Sequence, residues 1–525
     1  MTRATPTARR ALTLTLTLAA CLTSSPALAA AGRPPAPTQD ATATGLAPYH
    51  HQRLRWGSCV KGPDDTTGRD LDKAGVQCAD VTVPLDYSAP RGRTLTVAIS
   101  RLKATDTRHR IGAILLNNGG PGGSAVQSPP EARAAMKDVG ARFDIIGFDP
   151  RFVGRSTPLD CGWPVGMTWL SAGSSRAGFD RQVALQKGLA DKCRATDAAV
   201  LPHISTRNTA RDMDVIRAAL GERKISYLGY SYGTYLGTVY TQMFPGRHDR
   251  VVLDGAITPG DWRARLLQGS ERENEKALSD WAAWAAQRHD AYALGRTRAD
   301  VLATVDRILA ASARSPLTIG TGADTFRIDE SQVPLLLFSG IADDTDAARA
   351  AFGEQMSVLA KAAQGAPTAL SPEFAAALRY ALHGEGGPTG VQSAVICGDV
   401  AAPRDPEPYW RDIERSRTTH PLFGAMSNNI TPCAFWDRPR EEPTQVRRDV
   451  PALIVAATGD PRTTYKSSVA LRGLLPSSRL VTLENANRHA LFGLYGNTCV
   501  DDAVNDYLAT GTLPTKDRTC SRQER

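Results

Sequence analysis

The stretch Lys224-Ile-Ser-Tyr-Leu-Gly-Tyr-Ser-Tyr-Gly-Thr-Tyr-Leu-Gly237 constrains the fold more than any other part of this 525-residue chain. Its first half, with Ile225, Tyr227 and Leu228, reads as a buried strand. Its second half reads as a helix that continues to Met243 and stops at Pro245-Gly246. Between them lies Gly229-Tyr230-Ser231-Tyr232-Gly233, the sole G-x-S-x-G of the chain. A serine at such a strand-to-helix turn sits on strained backbone with its hydroxyl lifted clear of the sheet. Only small residues fit two positions either side of it, where a Cβ would collide with the neighbouring strand or helix. A serine hydroxyl is a poor nucleophile by itself, so the rest of the chain must supply a base, an acid and an oxyanion-binding group.

Strand signals surround this turn. Residues 78–87 and the alternating Leu95, Val97 and Ile99 read as strands joined by a turn at Pro90-Arg-Gly92. Residues 111–116 form a continuous apolar run, as in a central parallel strand, and lead into Asn117-Asn-Gly-Gly-Pro-Gly-Gly-Ser124. A glycine-rich loop after a strand lets the backbone approach a ligand closely. With no Gly-Lys-Ser/Thr following, it is not a phosphate loop. The strand at 143–149 runs into Asp149-Pro-Arg-Phe-Val-Gly-Arg-Ser156. A helix is expected over 208–221, capped by Asn208 or Thr209, with Met213, Ile216 and Leu220 on one face. Another strand covers 250–257. From about 259 to 445 the strand rhythm gives way to helical, Ala- and Arg-rich sequence, and it resumes at 451–460 and 479–483. Strands alternating with helices predict a mostly parallel sheet, and a helical block between two of its strands predicts an inserted cap.

The chemistry follows from the order of three residues. A base needs a carboxylate to fix its tautomer. In the α/β-hydrolase fold the order is Ser, acid, His, each at the C-terminal end of a strand. Ser231, Asp460 and His489 have that order, and of nine histidines only His489 lies past the last predicted strand. Asp254, at the end of an earlier strand, is the rival acid. The oxyanion hole would use the backbone N–H of Tyr232 and one from Gly119 or Gly120. The expected fold is therefore an α/β-hydrolase with a mainly helical cap, divided as 51–258 (core), 259–445 (cap) and 446–525 (core).

Composition bounds the setting. Residues 1–29 read as a secretory signal peptide, with Arg9-Arg10, a short apolar core and Ala27-Leu-Ala29 as cleavage site. A lipid anchor at Cys21 is the alternative, and Arg9-Arg10 also hints at twin-arginine export. Residues 30–50 read as an unstructured leader remnant or propeptide. The formal charge of +8 includes Arg3, Arg9 and Arg10 of the leader and is spread thinly, with no basic run, so nucleic-acid binding is not indicated. No later apolar run is long enough to insert in a membrane. Without Cys21, eight cysteines remain and no C-x-x-C, which favours disulfides over zinc. Nearest-neighbour pairing gives Cys59–Cys78, Cys161–Cys193, Cys397–Cys433 and Cys499–Cys520.

Asn118-Gly-Gly-Pro-Gly-Gly-Ser124, residues 149–156, Asn208-Thr-Ala-Arg-Asp212 and Gly229-Tyr-Ser-Tyr-Gly-Thr234 stand in order. With Cys397-Gly-Asp399 and the cysteine-tied tail, they resemble the secreted tripeptidyl aminopeptidases of actinomycetes, among the proline iminopeptidase-like serine peptidases. The resemblance implies an exopeptidase that releases short peptides, often tripeptides, from free N-termini. It also implies a helical cap, a triad at Ser231, Asp460 and His489, and no metal or organic cofactor. The chain departs from the family's pattern at Phe152, where Gly is usual, at Asn117-Asn118 before the glycines, and at Asn487-Arg488-His489-Ala490 around the base. Recognition of a protonated amine calls for a cap carboxylate, with Glu271, Glu273, Glu275 and Glu330 as candidates. Trp281 and Trp284 are expected in the core of the cap. Hydrolysis of esters or lactones by the same triad is the second reading, and a non-catalytic binding protein is the third. The expected substrates are peptide or protein N-termini, and the expected state is a monomer.

Overall fold

The computed structural model describes residues 45–522. The expected signal peptide, Cys21 and residues 30–44 lie outside the described residues. Residues 45–50 are not unstructured, as the sequence reading had them. Ala47–His50 is a helical turn, and Leu46 and Tyr49 pack against the main core.

The sheet has nine strands. β1 (Gln77–Pro84) and β2 (Thr94–Leu102) form an antiparallel pair at one edge. They are followed by β3 (Gly112–Asn117), β4 (Phe143–Phe148), β5 (Ile225–Tyr230) and β6 (His248–Asp254). The strand pair β7 (Leu317–Ile319) and β8 (Phe326–Ile328) stands apart. The sheet then resumes with β9 (Leu453–Ala457), β10 (Arg479–Leu483) and β11 (Arg518–Cys520). The spatial order is β1-β2-β4-β3-β5-β6-β9-β10-β11, and every pairing from β4 onward is parallel.

The central strands are apolar on both faces because both are covered. In β3, Ala113 and Leu115 face the layer that contains Tyr235, Leu236 and Met213. Ile114 and Leu116 face the opposite layer, with Val504 and Tyr507 of the last long helix, Thr498–Thr510. β5 and β6 lie at the middle of the order, so the serine turn emerges from the best-covered part of the sheet.

Between β6 and β9 the chain is mostly helical. Glu271–Ala286, Arg298–Arg314, Val333–Gly340 and Asp346–Ala362 pack around their own core of Trp281, Ile308, Phe338 and Phe352. Trp284 is buried in the same cluster. An apolar core of its own is the physical reason that this block can form apart from the sheet.

Three details differ from the sequence reading. The helix expected from 208 starts at Thr206, and its cap is Ser205, whose side chain accepts the N–H of Asn208 at 3.2 Å. The C-terminal tail is not only tied by a cysteine but adds β11 to the sheet edge. The helical insertion carries the β7–β8 ladder. The cysteines pair as Cys59–Cys78, Cys161–Cys193, Cys397–Cys433 and Cys499–Cys520. No helix among the described residues is long and apolar enough to cross a membrane.

Candidate active site

Ser231 sits between β5 and the helix Tyr232–Met243 with φ +55° and ψ −122°. L-residues avoid that region, so the strain is held by the surroundings. Close packing explains the glycines of the motif. A Cβ on Gly229 would stand 2.6 Å from the Gly233 carbonyl oxygen, and one on Gly233 would stand 2.8 Å from the Asn117 carbonyl oxygen. The Ser231 N–H donates to the Asp254 carbonyl at 2.9 Å, which ties the turn to the end of β6.

Asp460 and His489 meet from the loops after β9 and β10. His489 Nδ1 lies 2.9 Å from Asp460 Oδ2 and 3.1 Å from Oδ1. Asp460 is almost fully buried and also accepts the N–H groups of Arg462 and Thr463 and the Thr463 hydroxyl, at 2.7, 3.1 and 2.9 Å. These bonds fix the carboxylate in place against the imidazole. Thr463 Oγ1 is also 3.3 Å from His489 Nδ1. Its position three residues after the acid gave no signal in the sequence. The ring of His489 lies against the end of β6: a Cβ on Gly255 would stand 3.3 Å from His489 Cε1.

Asp254, the rival acid, is otherwise engaged. Its Oδ2 accepts the N–H groups of Leu491 and Phe492 at 2.8 and 2.7 Å. The imidazole pairs with Asp460.

The glycine-rich loop lies against the serine turn. Gly119 and Gly120 have φ of +84° and +105°. A Cβ on Gly119 would stand 2.9 Å from Ser231 Cβ and 3.3 Å from the Tyr232 nitrogen. The N–H of Gly119, however, donates to Asn117 Oδ1 at 3.0 Å. That N–H is therefore taken, which argues against its expected place in the oxyanion hole. Asp149 braces the loop from behind: its Oδ1 accepts Ser124 Oγ, Ala125 N–H and Val126 N–H at 2.5, 3.1 and 3.2 Å.

A second buried carboxylate stands behind the turn. Asp399, from Cys397-Gly-Asp399, accepts the N–H and hydroxyl of Thr206 and the indole N–H of Trp262. Thr206 Oγ1 is in turn 2.9 Å from the Tyr232 hydroxyl. Burial pushes the Asp399 carboxyl up to about 7, against the lowering effect of its donors.

The four cap glutamates divide. Glu330 accepts the N–H and hydroxyl of Ser174 at 2.9 and 2.8 Å. Glu275 accepts the N–H groups of Leu422 and Phe423 at 3.0 and 3.3 Å, and burial raises its pKa. Both carboxylates serve the framework of the cap, which argues against the amine-binding role expected for them. Glu271 is buried and bonded to Gly269 N–H and Asn428 Nδ2, both at 2.8 Å. It begins the helix on which Asn274 donates to the Pro461 carbonyl, beside the catalytic-acid candidate. Glu273, half-exposed, is on the same first turn.

A family model for the alpha/beta hydrolase fold matches residues 112–493. A tripeptidyl aminopeptidase of Streptomyces lividans is 35% identical over 465 residues, covering 85% of this chain and 84% of that protein. The serine protease Hip1 of Mycobacterium tuberculosis is 29% identical over 85% of this chain and 87% of its own length. A protein of the same organism named carboxylesterase B is 32% identical over 99% of both chains. With the elbow, the paired Asp460 and His489 and these matches together, the chain belongs to the alpha/beta-hydrolase family, in the branch of the tripeptidyl aminopeptidases, and is a serine hydrolase.

Proposed function

We propose that the protein is an exported serine exopeptidase that releases short peptides, tripeptides foremost, from free N-termini. The observation that carries this reading is the Nδ1–Oδ2 contact of 2.9 Å between His489 and Asp460, set beside the strained Ser231. That contact orients His489 with Nε2 as the basic nitrogen. Ser231 Oγ attacks the scissile carbonyl while His489 takes its proton. The tetrahedral oxyanion is received by the N–H groups of Tyr232 and Gly120. Collapse breaks the C–N bond, and His489 returns the proton to the leaving amine, which is the shortened polypeptide. Water then attacks the acyl-enzyme with His489 again as base, freeing the released peptide's carboxylate and restoring Ser231 Oγ–H. Each oxyanion donor is worth about 10²–10³ in rate.

Kinship with the tripeptidyl aminopeptidases supports peptides as substrates, and four disulfides suit an oxidising compartment. For the substrate amine, Glu273 on the first turn of Glu271–Ala286 is the favoured candidate, because the same helix reaches Pro461 through Asn274, whereas the carboxylate of Glu271 is taken by Gly269 and Asn428. One observation favours a second reading. A relative that covers 99% of this chain is named a carboxylesterase, so the same acyl-enzyme route could serve esters. A panel of free and N-blocked peptidyl-anilides beside short-chain esters separates the two. The aminopeptidase reading expects free tripeptidyl-anilides to be turned over fastest. Preference for N-blocked peptides or for esters refutes it.

A further inference from the structure

Asp254 closes β6 with its side chain wholly buried. Its carbonyl accepts the N–H of Ser231 at 2.9 Å. Its carboxylate oxygen Oδ2 accepts the N–H groups of Leu491 and Phe492, the second and third residues after His489. One residue thus holds the nucleophile's turn with its backbone and the base's loop with its side chain. Neighbouring contacts run between the same two parts. The Tyr230 hydroxyl donates to the Phe492 carbonyl at 2.9 Å. Gly255, next in sequence, has φ +69° and lies so close to His489 that a Cβ would touch its ring.

The other oxygen, Oδ1, is buried and has no hydrogen-bond partner. A buried acceptor without a donor is costly when ionised and tolerable when it carries a proton. The titratable groups that face Asp254 are His489 and Asp460, from the loops after β10 and β9, and the Tyr230 phenol from β5. Burial raises the Asp254 carboxyl to about 6; the bonds from Phe492 and Leu491 and the charge of His489 oppose the rise, and Asp460 adds to it.

We propose that Asp254 is a positioning residue, a second carboxylate distinct from Asp460, which sets the spacing of Ser231 and His489 by gripping the elbow and the base loop at once. This rests on the reading of Ser231, Asp460 and His489 as the triad. Gripping needs only an acceptor at Oδ2, so the negative charge is dispensable and the acceptor is not.

The test compares Asp254→Asn, Asp254→Ala and Asp460→Asn by kcat/KM, with fluorophosphonate labelling of Ser231 as a substrate-independent readout. Asp254→Asn keeps a carbonyl oxygen for the two N–H groups. It is expected within about tenfold of wild type, a rescue that a merely space-filling role would not give. Asp460→Asn is expected to lose about 10⁴, as a triad acid does. Asp254→Ala is expected to lose about 10² in both turnover and labelling, the scale of a 1 Å misplacement. The proposal is overturned if Asp254→Asn falls as far as Asp460→Asn, or if a folded Asp254→Ala labels at the wild-type rate. If Asp254→Ala does not fold, the two asparagine variants still decide. Wild-type protein that is not labelled at Ser231 refutes the triad reading instead.

Discussion

Arg151 and Asp212 form a two-pronged ion pair from which solvent is wholly excluded, Nε to Oδ2 at 2.7 Å and Nη2 to Oδ1 at 2.6 Å. The pair joins two of the sequence motifs, residues 149–156 and 208–212, which looked independent in the chain. It fastens the loop behind the glycine-rich turn to the helix Thr206–Ala219, and Tyr87 adds its hydroxyl to Asp212 at 2.7 Å. Arg151→Met leaves Asp212 buried without its counter-charge and is expected to cost about 3–5 kcal/mol. Joining it to Asp212→Leu is expected to recover much of that loss, because the desolvation of both charges disappears. Denaturant unfolding of the single and double variants checks this.

Phe152 occupies a left-handed conformation, φ +69°, with its ring buried in the main core. A bulky residue there costs about 1–2 kcal/mol in backbone strain. Removing its ring forfeits about 3–5 kcal/mol of burial. Both Phe152→Gly and Phe152→Ala are therefore expected to destabilise. Phe152→Gly is expected to be the more stable of the two by about 1 kcal/mol, reversing the usual order of Ala and Gly. Thermal melts of the pair give the sign.

The helical insertion grips the base loop. The N–H of His489 donates to the Ala342 carbonyl at 3.0 Å. Asp344 accepts Asn487 N–H at 2.9 Å and the Tyr495 hydroxyl at 2.8 Å, and Arg488 pairs with Asp343. Asp344→Ala frees buried donors on both sides of His489 and is expected to lower kcat by about 10–100-fold. Asp343→Ala, at a more exposed pair, is expected to change it by no more than about threefold. Steady-state kinetics normalised by active-site titration distinguishes them.

Asp399 makes stability depend on pH in the direction opposite to a salt-bridged acid. Its folded pKa of about 7 lies above the ordinary carboxylate value. The folded state therefore holds the proton more tightly between about pH 4 and 7. Stability from this group is greatest at the acid end, falls as pH rises through that window and is level above it. Asp399→Asn removes the titration, so its stability relative to wild type is expected to improve by a few kcal/mol from pH 4 to pH 7. Chemical denaturation of both proteins at a series of pH values measures the difference.

The parts most legible in sequence were those with a local pattern. The apolar run at 111–116 and the glycines around Ser231 each carry their reason within a few residues. The contact between Asp460 and His489 was legible through chain order, since both follow strands whose apolar runs are plain. What escaped was set by contacts across long separations. Ser205 caps its helix in place of Asn208 because the backbone, not the residue type, decides where the helix begins. Glu330 looks like any surface glutamate until Ser174 is found 156 residues away in sequence, against its carboxylate. The Gly119 N–H was expected to be free, and only the fold turns the Asn117 side chain onto it. Thr463 is a short polar residue in a loop, and nothing local distinguishes it from a turn former; Asp254 was legible only as an acid at a strand end, and its bond to the N–H of Leu491 spans 237 residues of sequence.

The nucleophile is tested most directly by incubating the folded protein with a fluorophosphonate and mapping the adduct by peptide mass spectrometry, with wild type, Ser231→Ala and His489→Ala in parallel. The expected result is one adduct, on Ser231, formed at least about 10³-fold more slowly in His489→Ala, together with loss of peptidyl-anilide hydrolysis in Ser231→Ala. An adduct on another serine, or full activity in Ser231→Ala, would contradict the assignment of Ser231 as the residue that cuts the bond.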